Sequence, residues 1–148
     1  MKKTILSLSF MIILGLGTTY ASDDSGVNVQ TMQSFHKSFG SAKDVNWQKE
    51  KDYNKATFRL NDQYLTAYYN ENAELVAIVR NVLADHLPIL LLTDLQNNYE
   101  DYWITELYEV AAAGESFHRI TIENADQILI MRSVNATDWV VEKKVKKT

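Results

Sequence analysis

From about residue 29 the chain runs an apolar stripe at helical spacing and then several short alternating segments; from about residue 87 it runs the same order again, more loosely. Repetition at a period near half the chain is the strongest constraint on the fold. A supersecondary unit of this size cannot bury its apolar face alone, so two copies are expected to share a core. The expected class is α+β: two tandem helix-plus-antiparallel-meander units of about four strands each, about 29–80 and about 87–145. They would form a curved sheet with helices on one face and a bare reverse, which antiparallel sheets permit.

The first stripe is Val29, Met32, Phe35 and Phe39, close to the helical period, with Gly40 placed for a left-handed cap. Val45-Asn46-Trp47 begins a strand, and 49–52 is a charged turn. Ala56, Phe58 and Leu60 then alternate with Lys55, Thr57 and Arg59, giving one apolar and one polar face. Asn61-Asp62 is a hairpin signal because both residues tolerate positive φ. The return strand is 64–69, and Asn70-Glu71-Asn72 leads into 74–80.

The second stripe opens at Pro88, whose missing N–H is harmless in the first turn of a helix. Leu91, Leu92, Leu95 and Tyr99 follow on one face, and Leu95/Tyr99 repeats the spacing of Phe35/Phe39. Strands are expected at about 102–110, 117–123, 127–134 and 138–145, separated by turn residues such as Ala113-Gly114-Glu115 and Asn135-Ala136-Thr137.

Residues 1–21 read as a secretion signal: Lys2 and Lys3, an apolar run at 5–17, and Thr19-Tyr20-Ala21 before the cut. The run is shorter than the roughly 20 residues a membrane helix needs. Residues 22–28 are a polar, flexible leader, and 29–148 is one domain. The expected address is periplasmic or secreted, with no membrane span in the mature chain. Loss of Lys2 and Lys3 makes the formal charge of −4 more negative by two, which argues against nucleic acid. Lys143, Lys144, Lys146 and Lys147 read as a solvated end. The chain has no cysteine, so thiolate metal sites and cysteine nucleophiles are ruled out.

These residues resemble the PepSY-like, beta-lactamase-inhibitor-protein-like (BLIP-like) family of small exported bacterial proteins. The resemblance rests on Phe35-x-x-x-Phe39, Val45-x-Trp47, Ala56-Thr57-Phe58 and Ala67-Tyr68-Tyr69, then Leu87-Pro88, Tyr99, Ile104 and Tyr108-Glu109-Val110. It implies a Gram-negative periplasmic or secreted home and no known catalytic residues. The family usually has glycine in the turn after the third strand; here Asn72-Ala73 stands there, so that turn is expected to differ.

Candidate chemistry is sparse. Ser34-x-x-Lys37 has the serine–lysine spacing of penicillin-recognising enzymes but lacks their other two motifs, and a solvated helix face accounts for it. His36, His86 and His118 stand in no paired metal spacing, and no calcium loop or glycine-rich phosphate cradle is present. No catalytic residue, metal or cofactor is therefore expected. The stronger signal is aromatic: three tryptophans and eight tyrosines, mostly in or beside strands. If Leu65, Ala67 and Tyr69 face the helix, Tyr64 and Tyr68 point at the bare side. Tyr64, Tyr68 and Trp47 are accordingly the expected binding residues.

The resulting expectation is a non-enzymatic binding module that engages another envelope protein or peptide, in an inhibitory or chaperone-like way, through the helix-free sheet face. Two alternatives stay open. One is a small hydrolase or lyase that brings His118 or His86 near Glu106 or Glu109 between the two halves. The other is a structural component that self-associates through an edge strand.

Overall fold

The computed structural model describes residues 26–148; the expected signal at 1–21 and the leader as far as residue 25 lie outside the described residues. The order is α1 (Val29–Ser38), β1 (Lys43–Lys49), β2 (Asn54–Leu60), β3 (Gln63–Tyr69) and β4 (Leu75–Asn81). A 3-10 turn at Ala84–His86 follows, then α2 (Ile89–Asn98), β5 (Trp103–Ala112), β6 (Glu115–Glu123), β7 (Gln127–Val134) and β8 (Asp138–Lys146). The eight strands form one antiparallel sheet in simple sequence order.

That corrects the expected α+β arrangement of two tandem helix-plus-meander units. Strands hold 52 % of the described residues and the two helices are short, so the protein is mostly β. The reason lies at the boundary between the halves. β4 pairs directly with β5, from Ala77↔Ala112 to Asn81↔Tyr108, and the Val82 N–H donates to the Leu107 carbonyl at 3.1 Å. Backbone groups there need partners, and one continuous ladder supplies them.

Each turn is made by residues that suit it. Asn61 and Asp62 both adopt positive φ (49° and 61°), and the β2–β3 hairpin closes in register from Leu60↔Gln63 to Asn54↔Tyr69. Ala73 also takes a left-handed conformation, φ 62°, which strains a residue with a Cβ. The Asn70 side chain braces that turn by accepting from the Asn72 and Glu74 N–H groups. The left-handed cap expected at Gly40 does not form. Instead α1 closes through the Phe39 N–H, which donates to the Phe35 carbonyl at 2.7 Å. A Cβ at residue 40 would lie 3.3 Å from the His36 carbonyl, so crowding is what favours glycine there.

Both helices lie on the same side of the sheet. Phe35 and Phe39 of α1 pack on Trp47, Ala56, Phe58, Leu65, Ala67 and Tyr69. Leu91 and Leu95 of α2 pack on Leu107, Ile120, Ile122, Leu129 and Met131. Leu65 pairs with Arg80, Arg80 with Glu109, and Leu107 stands two residues from Glu109, so both clusters share one sheet face. Asn28 caps α1 by accepting from the Thr31 N–H at 2.7 Å. The Trp139 indole N–H donates to the Leu91 carbonyl at 3.0 Å and fastens β8 to α2. No helix among the described residues is long and apolar enough to cross a membrane.

Candidate functional site on the helix-free sheet face

The reverse of the sheet carries its own apolar cluster without a helix over it. Tyr68, Ala77, Val79 and Val110 are buried at its centre, framed by Tyr53, Val76, Tyr108, Ala112 and Phe117. Register puts them in line: Tyr68 pairs with Ala77, Ala77 with Ala112, Val79 with Val110, and Val110 with Phe117. The Tyr53 ring meets Tyr68 edge-on at 6.0 Å. Burial pushes the Tyr68 hydroxyl up to about 12, reinforced by Tyr108, Tyr53 and Glu50. Burial also raises Tyr108, with Glu106 adding to it. Both phenols are therefore neutral hydrogen-bonding groups at neutral pH.

Charged pairs ring this centre. Toward β1, Arg59 donates to Asp44 at 2.9 Å and to Asp62 at 3.2 Å. Toward β8, the Arg132 guanidinium stacks 3.9 Å over the Phe117 ring and reaches Glu115 at 3.1 Å. Arg119 pairs with Glu142 at 3.3 Å, and the Thr121 hydroxyl donates to Glu106 at 3.0 Å. An apolar, aromatic middle inside a rim of satisfied polar groups is the anatomy of a protein interface.

The three expected binding residues separate. Tyr64 lies on the helix-free side and is 65 % exposed, opposite Arg59. Tyr68 lies on the same side but is only 4 % exposed, so it is floor rather than contact surface. Trp47 lies on the other side, under α1, with its ring 5.2 Å from Phe35. Sequence reasoning missed Tyr53, Tyr108 and Phe117 as members of the patch. Alternation within β5 marks Tyr108 and Val110 as sharing a side, but only the β4–β5 register joins that side to Tyr68.

The histidine–carboxylate alternative forms only in part. His118 pairs across the strands with Glu109 on the helix-covered face, and Glu109 is held by Arg80, which also reaches Gln63 at 3.1 Å. Burial lowers the His118 pKa and Arg80 lowers it further, against the opposing pull of Glu109. Glu106 stands on the opposite face, and His86 is exposed beside Asp85. Among the described residues no group of three or more His, Asp or Glu side chains is placed to hold a metal.

The architecture defines a class: one eight-stranded antiparallel meander with two short helices on a single face. It is similar to a BLIP-like protein from Bacteroides fragilis, with a TM-score of 0.72 at 16 % identity over 86 % of this chain and 94 % of that one. It is similar also to a DUF2874 family protein from Bacteroides uniformis (TM-score 0.70, 13 % identity, 81 % of this chain and 89 % of that one). A proposed periplasmic protein from Bacteroides eggerthii gives a TM-score of 0.68 at 15 % identity, covering 86 % of this chain and 90 % of that one. No family model matches the chain, and no curated protein matches it. Likeness at these identities establishes a BLIP-like fold; the PepSY-like side of the resemblance finds no support.

Proposed function

We propose that the protein is an exported, non-enzymatic binding module that engages another protein or peptide of the cell envelope through its helix-free sheet face. The observation that carries this reading is the aromatic and apolar cluster built on buried Tyr68, Val79 and Val110, which no helix covers and whose half-buried margin of Tyr53, Tyr108 and Phe117 is ringed by paired charges. Tyr64, exposed at the edge of that patch, is the first contact residue, and Tyr68 supports the floor. The BLIP-like fold and the leader-like residues 1–21 agree with a binding role in the periplasm or beyond it. Exposed tyrosine suits such a surface because it buries much area for little lost rotamer freedom.

A photo-crosslinking residue placed at Tyr64, and separately at Leu90 on the exposed side of α2, tests the assignment in intact cells. The expected outcome is a discrete crosslinked partner from position 64 and none from position 90. The same products from both positions, or none from 64, would overturn it. N-terminal sequencing of the secreted or periplasmic form should begin at Ser22.

A further inference from the structure

The two helix-covered regions are closed differently, and the difference leaves a cavity. Trp47 pairs with Ala56 under α1, and Leu107 pairs with Ile120 under α2. Two residues further along the partner strands stand Phe58 and Ile122. Under α1 the ring of Phe39, the C-terminal cap, meets the Phe58 ring at 4.8 Å. Under α2 the cap is Tyr99, and Ile122 offers no ring to meet it. A groove of about 360 Å³ lies open there, lined by Leu92, Leu95, Tyr99, Tyr102, Ile104 and Ile122, with Glu100 at its edge. Ile104 is 40 % exposed in its wall.

The charge around this groove is one-sided at the helix end. The last turn of α1 carries His36 and Lys37, which suit the negative end of a helix, whereas the last turn of α2 carries no basic residue. Gln96, Asn97 and Asn98 stand there instead, with Asp94 one turn earlier and Glu100 and Asp101 just beyond the cap; of these acids Glu100 lines the groove. Asp94 accepts a hydrogen bond from Asn98, and neither Glu100 nor Asp101 forms an ion pair among the described residues. Burial raises the Tyr99 hydroxyl, with Asp94 and Tyr102 adding to it. Basic charge on this face lies across the sheet, at Lys144 opposite Leu129 and at Lys146 opposite Gln127, whose amide donates to the Tyr102 hydroxyl, so the acidic end of the groove is the helix end.

We propose that this groove is a second recognition site, distinct from the helix-free face, for a peptide segment that places an aliphatic side chain beside a lysine or arginine. The aliphatic group packs against Leu92, Tyr99, Tyr102 and Ile104 above the buried Ile122, where the α1 region has its own phenylalanine. The cation sits against Glu100, Asp101 and the C-terminal carbonyls of α2. Burial of the apolar group supplies most of the attraction, and the charges set orientation and salt dependence.

Calorimetry with the purified protein tests it, using a short leucine–lysine peptide and its leucine–glutamate counterpart as probes. The leucine–lysine peptide should bind saturably, with affinity that falls as salt rises, and the leucine–glutamate peptide should not. Ile122→Phe should fill the groove, weakening binding at least about tenfold while the protein stays folded. Glu100→Gln, a surface change that cannot unfold the chain, should weaken it several-fold and flatten the salt dependence. Equal binding of the two peptides, or undiminished binding by both variants, would overturn the proposal. So would a heat signal that tracks self-association of the protein, or preferential uptake of anionic phospholipid vesicles that Ile122→Phe abolishes.

Discussion

Under α1 the core is aromatic: Phe35 meets Phe39, Trp47 and Phe58 at ring separations of 5.3, 5.2 and 4.9 Å. Under α2 it is aliphatic, with Leu91, Leu95, Leu107, Ile120, Ile122, Leu129 and Met131 and a single buried tryptophan arriving from β8. The backbone frame hardly differs. Both helices have 10 residues, and each ends with the cap N–H returning to the carbonyl four residues back. A second bond follows in each, from Ala42 to Phe39 and from Tyr102 to Tyr99, both at 3.0 Å. Side-chain volume, rather than backbone geometry, therefore decides which region is sealed and which keeps a groove.

The sharpest way to break this comparison is to cut both cores at matched positions. Phe58→Ala should cost about 3–5 kcal/mol, because a sealed cluster cannot collapse around the void. Ile122→Ala should fall near about 2 kcal/mol, since the groove beside it is already open. Urea unfolding measures both, and equal losses would contradict the sealed-versus-open distinction. Next in size is the tie that α2 has to its sheet. Trp139→Phe removes the bond to the Leu91 carbonyl and part of the buried indole, with an expected loss of at least about 1 kcal/mol. Under α1 the corresponding tie is the longer contact from the Asn54 amide to the Thr31 hydroxyl, 3.5 Å. Thr31→Val should therefore cost less than Trp139→Phe in a parallel thermal melt.

Two smaller effects concern a turn in each region and the seam between them. Ala73 and Asn135 both hold positive φ, 62° and 59°, but asparagine tolerates it and alanine does not. Ala73→Gly should raise stability by about 0.5–1 kcal/mol and Asn135→Gly should leave it nearly unchanged. At the seam, burial and Arg80 keep the folded His118 pKa below its unfolded value. Folding then favours the neutral imidazole. Its stabilising contribution is complete well above about pH 6.5 and is lost as pH falls through that value toward the lower folded pKa. The melting temperature of the native protein should drop more between neutral and mildly acidic pH than that of His118→Gln. Parallel pH profiles would remove His118 as the cause.

Much of the architecture was legible in residue spacing. Phe35/Phe39 and Leu95/Tyr99 marked the buried helix faces, and Asn61-Asp62 marked a hairpin with the expected positive φ values. Alternation put Tyr64 and Tyr68 on a common side away from α1. What spacing could not carry was register between distant strands. The Ala77↔Ala112 pairing, which makes one sheet of two halves, leaves no local trace in either strand. The burial of Tyr68 is equally non-local, because its cover comes from Tyr53 and Tyr108, on separate strands or turns. Trp47 shows the same gap from the other direction: its strand was recognisable, but its side is set by its pairing with Ala56 beneath Phe35. The groove becomes visible only when Phe58 and Ile122 are aligned through their partners.

Strand order follows chain order from β1 to β8 without a crossover. A polypeptide threaded N-terminus first through a narrow pore can therefore add each strand to the one that emerged just before it. No growing edge has to wait for a distant stretch still on the far side, and loop-closure entropy stays small at every step. The last piece through would be β8, and the Trp139 indole would lock it against α2, so the final strand carries the latch that closes the assembly.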